Sequence, residues 1–245
     1  MIEVSPSAAV RIVRIDQPHV RNAINTATAE RLHGEFVAFE RDDTQKVAVL
    51  TGDDAAFCAG ANLRDLPRLR PSGPLGPTRL QLSKPVIAAI EGWCVAGGME
   101  LAAWCDLRVA GETARFGLLE RRWGVPIMDG GTYRLPLIVG LGHALDLIIT
   151  GREIDAAEAV AMGFVTRLVS AGDAVRAAVE LAEQVAASPW RAVVNDRLAV
   201  YEGLGLGLDE ALANEDRRGR DTIAADGFLE GVARFEQRPR DTSAN

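Results

Sequence analysis

From Val10 the chain runs apolar, basic, apolar, apolar, basic, apolar to Ile15, the mark of a half-exposed strand over residues 9–15. Residues 26–39 space Ala29, Leu32, Phe36 and Phe39 by three and four, which predicts an amphipathic helix. Two unbroken apolar runs, residues 47–51 and 85–90, read as buried strands. The first ends in a turn at Gly52; the second leads into a Gly-rich turn and a helix. Residues 107–110, 114–116 and 165–169 add shorter strands. Residues 174–188 form an amphipathic helix closed at Ser188-Pro189, beyond which the chain is helical and charged, most clearly over residues 208–221. Residues 64–83 are crowded with proline, glycine and arginine and read as a loop with little fixed structure. Strand alternating with helix places the chain in the α/β class with parallel pairing. The strands are too short and unevenly spaced for an eight-stranded barrel, and no internal repeat is present.

Composition narrows the partners. The 245 residues are 48% hydrophobic and 25% charged, as in ordinary globular proteins. A net charge of -7 without a basic stripe excludes a nucleic-acid partner. Three cysteines (Cys58, Cys94, Cys105) without a C-x-x-C pair fit free thiols in a reducing cytosol. The first residues show neither a basic nor an apolar leader pattern, and no apolar stretch approaches the roughly 20 residues that span a bilayer. A cytoplasmic protein with no membrane partner is the expectation.

Glycines mark where chemistry could sit. Residues 95–105 are apolar almost all round, so the helix they form should be buried. Gly97 and Gly98 at its start leave amides bare at the positive end of the helix dipole, which suits a developing oxyanion. One carboxylate, Glu100, lies inside that apolar stretch, where desolvation should raise its pKa; it is a catalytic group or the partner of an arginine. A second Gly-rich turn spans residues 55–63. Its Cys58 has no histidine nearby and reads as a buried, inert thiol. By itself Glu120, followed by Arg121 and Arg122, reads as an ion-paired surface glutamate, and Asp129 as a turn or cap residue before Gly130-Gly131. His19, His33 and His143 are scattered, and metal, P-loop, dinucleotide and G-x-S-x-G signatures are all missing.

The pieces in their order resemble the crotonase (enoyl-CoA hydratase/isomerase) family. The resemblance is carried by Arg21-Asn22-Ala23-Ile24-Asn25, Phe57-Cys58-Ala59-Gly60-Ala61-Asn62-Leu63, and Lys84-Pro85 through Glu91-Gly92 leading into Ala96-Gly97-Gly98-Met99-Glu100-Leu101-Ala102. Cys105-Asp106-Leu107-Arg108-Val109-Ala110, Ala114-Arg115-Phe116-Gly117, and Thr150-Gly151-Arg152 through Gly163-Phe164-Val165 continue it.

The resemblance implies a crotonase-like spiral of ββα units over residues 1–187, and a C-terminal helical region, residues 188–245, that mediates a homotrimer or homohexamer. It also implies an acyl-CoA substrate, with coenzyme A as part of that substrate and no permanently bound cofactor. The backbone amides of Ala61 and Gly97 would form an oxyanion hole. Glu100 and Glu120 match the two glutamates of hydratases, and Ala23, Ile24, Ala59, Asn62, Leu63 and Arg64 fall where family members hold coenzyme A. The implied reaction is hydration or dehydration of a 2-enoyl-CoA by a lyase of fatty-acid-type metabolism. Residues 125–129 depart from the family's small Gly/Ala-rich approach to Gly130, so Asp129 could put a third carboxylate near the acyl pocket and Met128 could narrow it. Asn62 also replaces a usual aspartate, and the loop at residues 64–83 is short. The alternatives are a specialised isomerase or lyase using Asp129, and an acyl-CoA-binding protein without catalysis.

Overall fold

A computed structural model describes residues 2–6 and 9–237. The chain divides into two compact units, Met1–Glu183 and Gln184–Asn245.

The first unit is built on two sheets. The larger contains β1 (Ile2–Pro6), β2 (Val10–Ile15), β3 (Val47–Thr51), β5 (Val86–Ile90), β7 (Leu107–Gly111) and β10 (Arg167–Val169), in the order β1-β2-β3-β5-β7-β10. Only the β1–β2 pair is antiparallel. The smaller sheet is β4 (Ala56–Cys58), β6 (Trp93–Val95), β8 (Arg115–Gly117) and β9 (Glu153–Asp155), parallel except at β8–β9. Thus β3-β4, β5-β6 and β7-β8 each lay one strand in each sheet, and the chain climbs as a spiral of ββα turns. β3 and β5 are buried at every position, which is why they read as solid apolar runs rather than alternating ones.

Helices close the turns. α1 (Thr26–Arg41) starts where the Asn25 side chain accepts the Thr28 amide at 3.0 Å, and it buries Ala29, Leu32, Phe36 and Phe39 as the spacing predicts. α2 (Gly97–Trp104) is buried from Gly98 onward. The strand β6 ends on Val95, the first residue of the expected helix, because Val95 is drawn into the small sheet against Gly117 of β8. α3 (Gly131–Thr150) was not expected. Gly130, Pro136 and Gly140, the last at φ 77°, interrupt its pattern. By length and composition α3 could cross a bilayer, which corrects the expectation that no stretch is so apolar. It buries Leu135, Val139, Ala144 and Leu147, and α4 (Ala156–Ala161) and α5 (Ala174–Ala186) follow.

Residues 64–83 are irregular, as expected, but their middle is packed into the protein. Residues 73–78 are buried, with Leu75 1% and Thr78 0% exposed. The second unit consists of helices α6 (Trp190–Gly203), α7 (Leu208–Ile223) and α8 (Asp226–Glu236).

Candidate active site

The two glycine turns meet. Gly60 adopts φ +87°, and a Cβ added there would lie 2.7 Å from the Gly97 nitrogen. Ala96, which opens α2, holds φ 53° and ψ -130°, a conformation that costs an alanine about 1–3 kcal/mol. Neighbours hold it there: its amide donates to the Gly117 carbonyl at 2.8 Å and its carbonyl accepts from Met99 at 2.9 Å. The strained turn leaves the Gly97 amide at the head of α2. Among the described residues, neither this amide nor that of Ala61 donates to a backbone or side-chain acceptor. Two bare donors, one per turn, suit an oxygen that gains negative charge.

Residues expected to hold coenzyme A are partly brought together. The Arg21–Asn25 loop runs beside the 59–62 turn: Ala59 donates to Arg21 at 3.1 Å, Ile24 to Gly60 at 2.7 Å, and Asn62 to Ile24 at 2.8 Å. Ala23 and Ile24 are buried, whereas Leu63 and Arg64 are exposed at the outer end of this ridge. Arg64 donates its amide to the Asn62 side chain at 3.0 Å, so an amide oxygen suffices at position 62 to turn the chain. Asn22 is fully buried; its side chain donates to Asp53 and the Ala56 carbonyl and fixes the loop.

Three carboxylates gather behind the donors. Glu100, 3% exposed, accepts the amides of Asp129 and Gly131, each at 2.8 Å, on the single oxygen Oε2. Oε1 is therefore the oxygen left to take a proton. Burial is the main cause that pushes Glu100 up to about 7; the two amides oppose it, and the charges of Asp129 and Glu120 add to it. Glu120, 6% exposed, lies in a 3-10 turn, Leu119–Trp123, and neither of its carboxylate oxygens has a hydrogen-bond partner. Burial raises its pKa above the usual glutamate range. Its neighbours Arg121 and Arg122 are exposed, and Arg122 pairs with Glu153 at 3.1 Å. An ion-paired surface role for Glu120 is thus excluded.

Asp129 is buried, and its Oδ1 accepts the Leu75 amide at 3.1 Å and the Thr78 hydroxyl. Burial raises its pKa, against the pull of those donors and of Arg79 and Arg134. Met128 is 38% exposed, and its carbonyl accepts from Arg79 at 2.9 Å. The sequence reading missed the inner partners of this cluster, Leu75, Thr78 and Arg134. Arg134 donates to the carbonyls of Asp129, at 2.9 Å, and Thr78, at 2.6 Å. A signal was present: Gly73-Pro74 and Gly76-Pro77 bracket a lone Leu75, as turn-formers around an anchored apolar residue would. Cys58 is buried, and its thiol is pushed up to about 12, too high for a nucleophile.

A family profile described as enoyl-CoA hydratase/isomerase matches residues 5–242. A probable mitochondrial enoyl-CoA hydratase of Arabidopsis thaliana is 34% identical over 97% of this chain and 86% of its own length. A short-chain-enoyl-CoA hydratase of Clostridium acetobutylicum is 35% identical over 84% of this chain and 83% of its own. The crystal structure of an enoyl-CoA hydratase from Mycobacterium marinum superposes with a TM-score of 0.92 at 32% identity, covering 97% of this chain and 96% of that one. With that extent of match, and with two sheets wound as the spiral of those structures, this chain belongs to the enoyl-CoA hydratase/isomerase family.

Proposed function

We propose that the protein is an enoyl-CoA hydratase, a hydro-lyase that adds water across the double bond of a 2-enoyl thioester. One observation supports this above the rest. Glu100 and Glu120 are both buried, yet the first is tethered through one oxygen and the second is unpartnered on both. Hydration needs such a division. Glu100, ionised in part near neutral pH, takes a proton from water on Oε1 as the water oxygen bonds to C3. Charge collects on the thioester oxygen, held by the amides of Ala61 and Gly97. Glu120, whose burial favours the protonated form, gives its proton to C2. Transfer of the proton from Glu100 back to Glu120 by way of solvent restores both groups, so the cycle consumes one water and no co-reactant.

Coenzyme A enters as part of the substrate, along the ridge of Ala23, Ile24, Ala59, Asn62, Leu63 and Arg64, and the reaction needs no resident cofactor. The proposed assembly is a homotrimer or homohexamer. A row of apolar residues on α3, including Leu137, Leu141, Leu145 and Ile149, is exposed and supports association of copies. We propose a cytoplasmic setting, which three free cysteines suit. The reading that makes Asp129 the reacting acid is less well supported, because its Oδ1 already serves two donors. A binding protein without catalysis gives no reason to bury an unpartnered Glu120, at a cost of about 1–3 kcal/mol or more for such a group.

Purified protein given crotonyl-CoA should consume the enoyl-thioester ultraviolet absorbance and form 3-hydroxybutyryl-CoA, identified by mass. Binding of a panel of 2-enoyl-CoA substrates without gain of the mass of water would overturn the proposal.

A further inference from the structure

Asp129 acts in two directions at once. Its backbone amide donates to Glu100 Oε2 at 2.8 Å, and its side-chain Oδ1 accepts the Leu75 amide and the Thr78 hydroxyl. The segment so held packs on the same first turn of α2, for Leu75 Cδ1 lies 2.6 Å from where a Gly97 Cβ would stand. A ring of contacts therefore runs from the Gly97 Cα to Leu75, from Leu75 to Asp129, and from Asp129 to Glu100, three residues along α2 from Gly97. Arg134 braces it from outside through the carbonyls of Asp129 and Thr78. The ring is interior: Leu75, Thr78, Glu100 and Asp129 are buried and Gly97 is half-buried.

We infer that Asp129 is a positioning residue, whose side chain pins residues 73–78 against the start of α2 while its amide aims Glu100. One residue thereby sets the spacing between the thioester-oxygen donor and the base, and holds Leu75 against Gly97 beside that donor. The inference rests on the hydratase reading for its effect on rate, but the clamp itself does not. Links inside a packed, hydrogen-bonded ring carry geometry well, because a displacement of about 1 Å at a reacting group can cost on the order of a hundredfold in rate.

Three variants separate this role from others: Asp129→Ala removes the acceptor, Thr78→Val removes one donor at constant shape, and Asp129→Asn keeps an oxygen for both donors. Each is measured in two ways on the full chain, by hydrogen exchange at the Leu75 amide and by kcat and KM on crotonyl-CoA and on a longer 2-enoyl-CoA. Exchange should be slow in the parent and fast in Asp129→Ala, with Thr78→Val between. In Asp129→Ala, kcat on crotonyl-CoA should fall roughly tenfold to a hundredfold while KM changes less than about threefold. The ratio of kcat/KM for the longer to the shorter chain should rise as Leu75 yields. Asp129→Asn should recover most of both losses. A merely structural role would lower the amount of folded enzyme and leave the chain-length ratio unmoved, and that result overturns the inference. So does Asp129→Asn matching Asp129→Ala in rate, which would make the carboxylate itself a reacting group. If the parent hydrates no enoyl thioester but the exchange pattern holds, the hydratase reading fails and the clamp stands.

Discussion

Glu100 and Glu120 are both buried and oppositely partnered: one oxygen of Glu100 accepts two amides, and neither oxygen of Glu120 accepts any. Each also feels the surrounding apolar packing, which raises both pKa values. The two amides oppose burial at Glu100 and favour its ionised form, whereas Glu120 has no such donors and burial favours its protonated form.

Replacement of the Glu120 carboxyl is the sharper test. Glu120→Gln keeps shape and leaves an amide where an unpartnered carboxyl stood, so folding should be unharmed. Turnover of crotonyl-CoA should fall by about a hundredfold to ten-thousandfold, the usual contribution of a positioned acid. Thermal unfolding measured beside it should give a Tm equal to or above the parent's. A slow variant with a lowered Tm would point to damage rather than to lost chemistry.

Acidity gives Glu100 a separate signature. Its folded pKa, about 7, lies above the ordinary value of 4.5, so between those two values the native state binds more protons than the unfolded chain. Stability from this group is therefore full below about pH 4.5 and is lost as pH rises through 7. The span amounts to on the order of 3 kcal/mol. Glu120 and Asp129 shift in the same direction, so the comparison that isolates Glu100 is the parent against Glu100→Gln. Chemical denaturation across that pH range should show the parent losing stability with rising pH more steeply than the variant. Activity should run the other way: kcat/KM of the parent rises with pH through about 7, as the base ionises, and Glu100→Gln is slow throughout.

These two glutamates were not equally visible in the sequence. Glu100 stands alone in an apolar helix, and a carboxylate there needs a reason at any spacing. Glu120 is followed by two arginines and looks solvated; only the resemblance singled it out, because the turn that sends Arg121 and Arg122 outward and Glu120 inward leaves no mark in local composition. The central strands were legible, since β3 and β5 are buried on both faces and read as pure apolar runs. β4 and β6, three residues each, are too short to show a period. α3 hid behind its glycines and proline, and its outward leucines blur the stripe. Asp129 was the hardest case. Its partners lie more than fifty positions earlier in the chain, so a cap-like residue proved to be the tie of a distant segment.

Close approach of the two turns makes a last prediction from glycines alone. Gly98 packs so tightly on the Cys58 carbonyl that a Cβ there would collide with backbone, which cannot rotate away. Gly98→Ala must therefore push α2 off the strand that carries the 59–62 turn, at a cost of about 1–3 kcal/mol for overpacking. The same displacement parts the Ala61 and Gly97 amides, so turnover should fall further than stability alone explains. Gly34 supplies the contrast. It lies exposed within α1 with nothing inside 4 Å of its added Cβ. Gly34→Ala should raise stability by about 0.5–1 kcal/mol, through the lower backbone freedom of the unfolded chain, and leave turnover unchanged. Denaturation midpoints and crotonyl-CoA rates on the pair decide the matter. If Gly98→Ala kept full activity, two amides brought together by glycine contact could not be what holds the thioester oxygen.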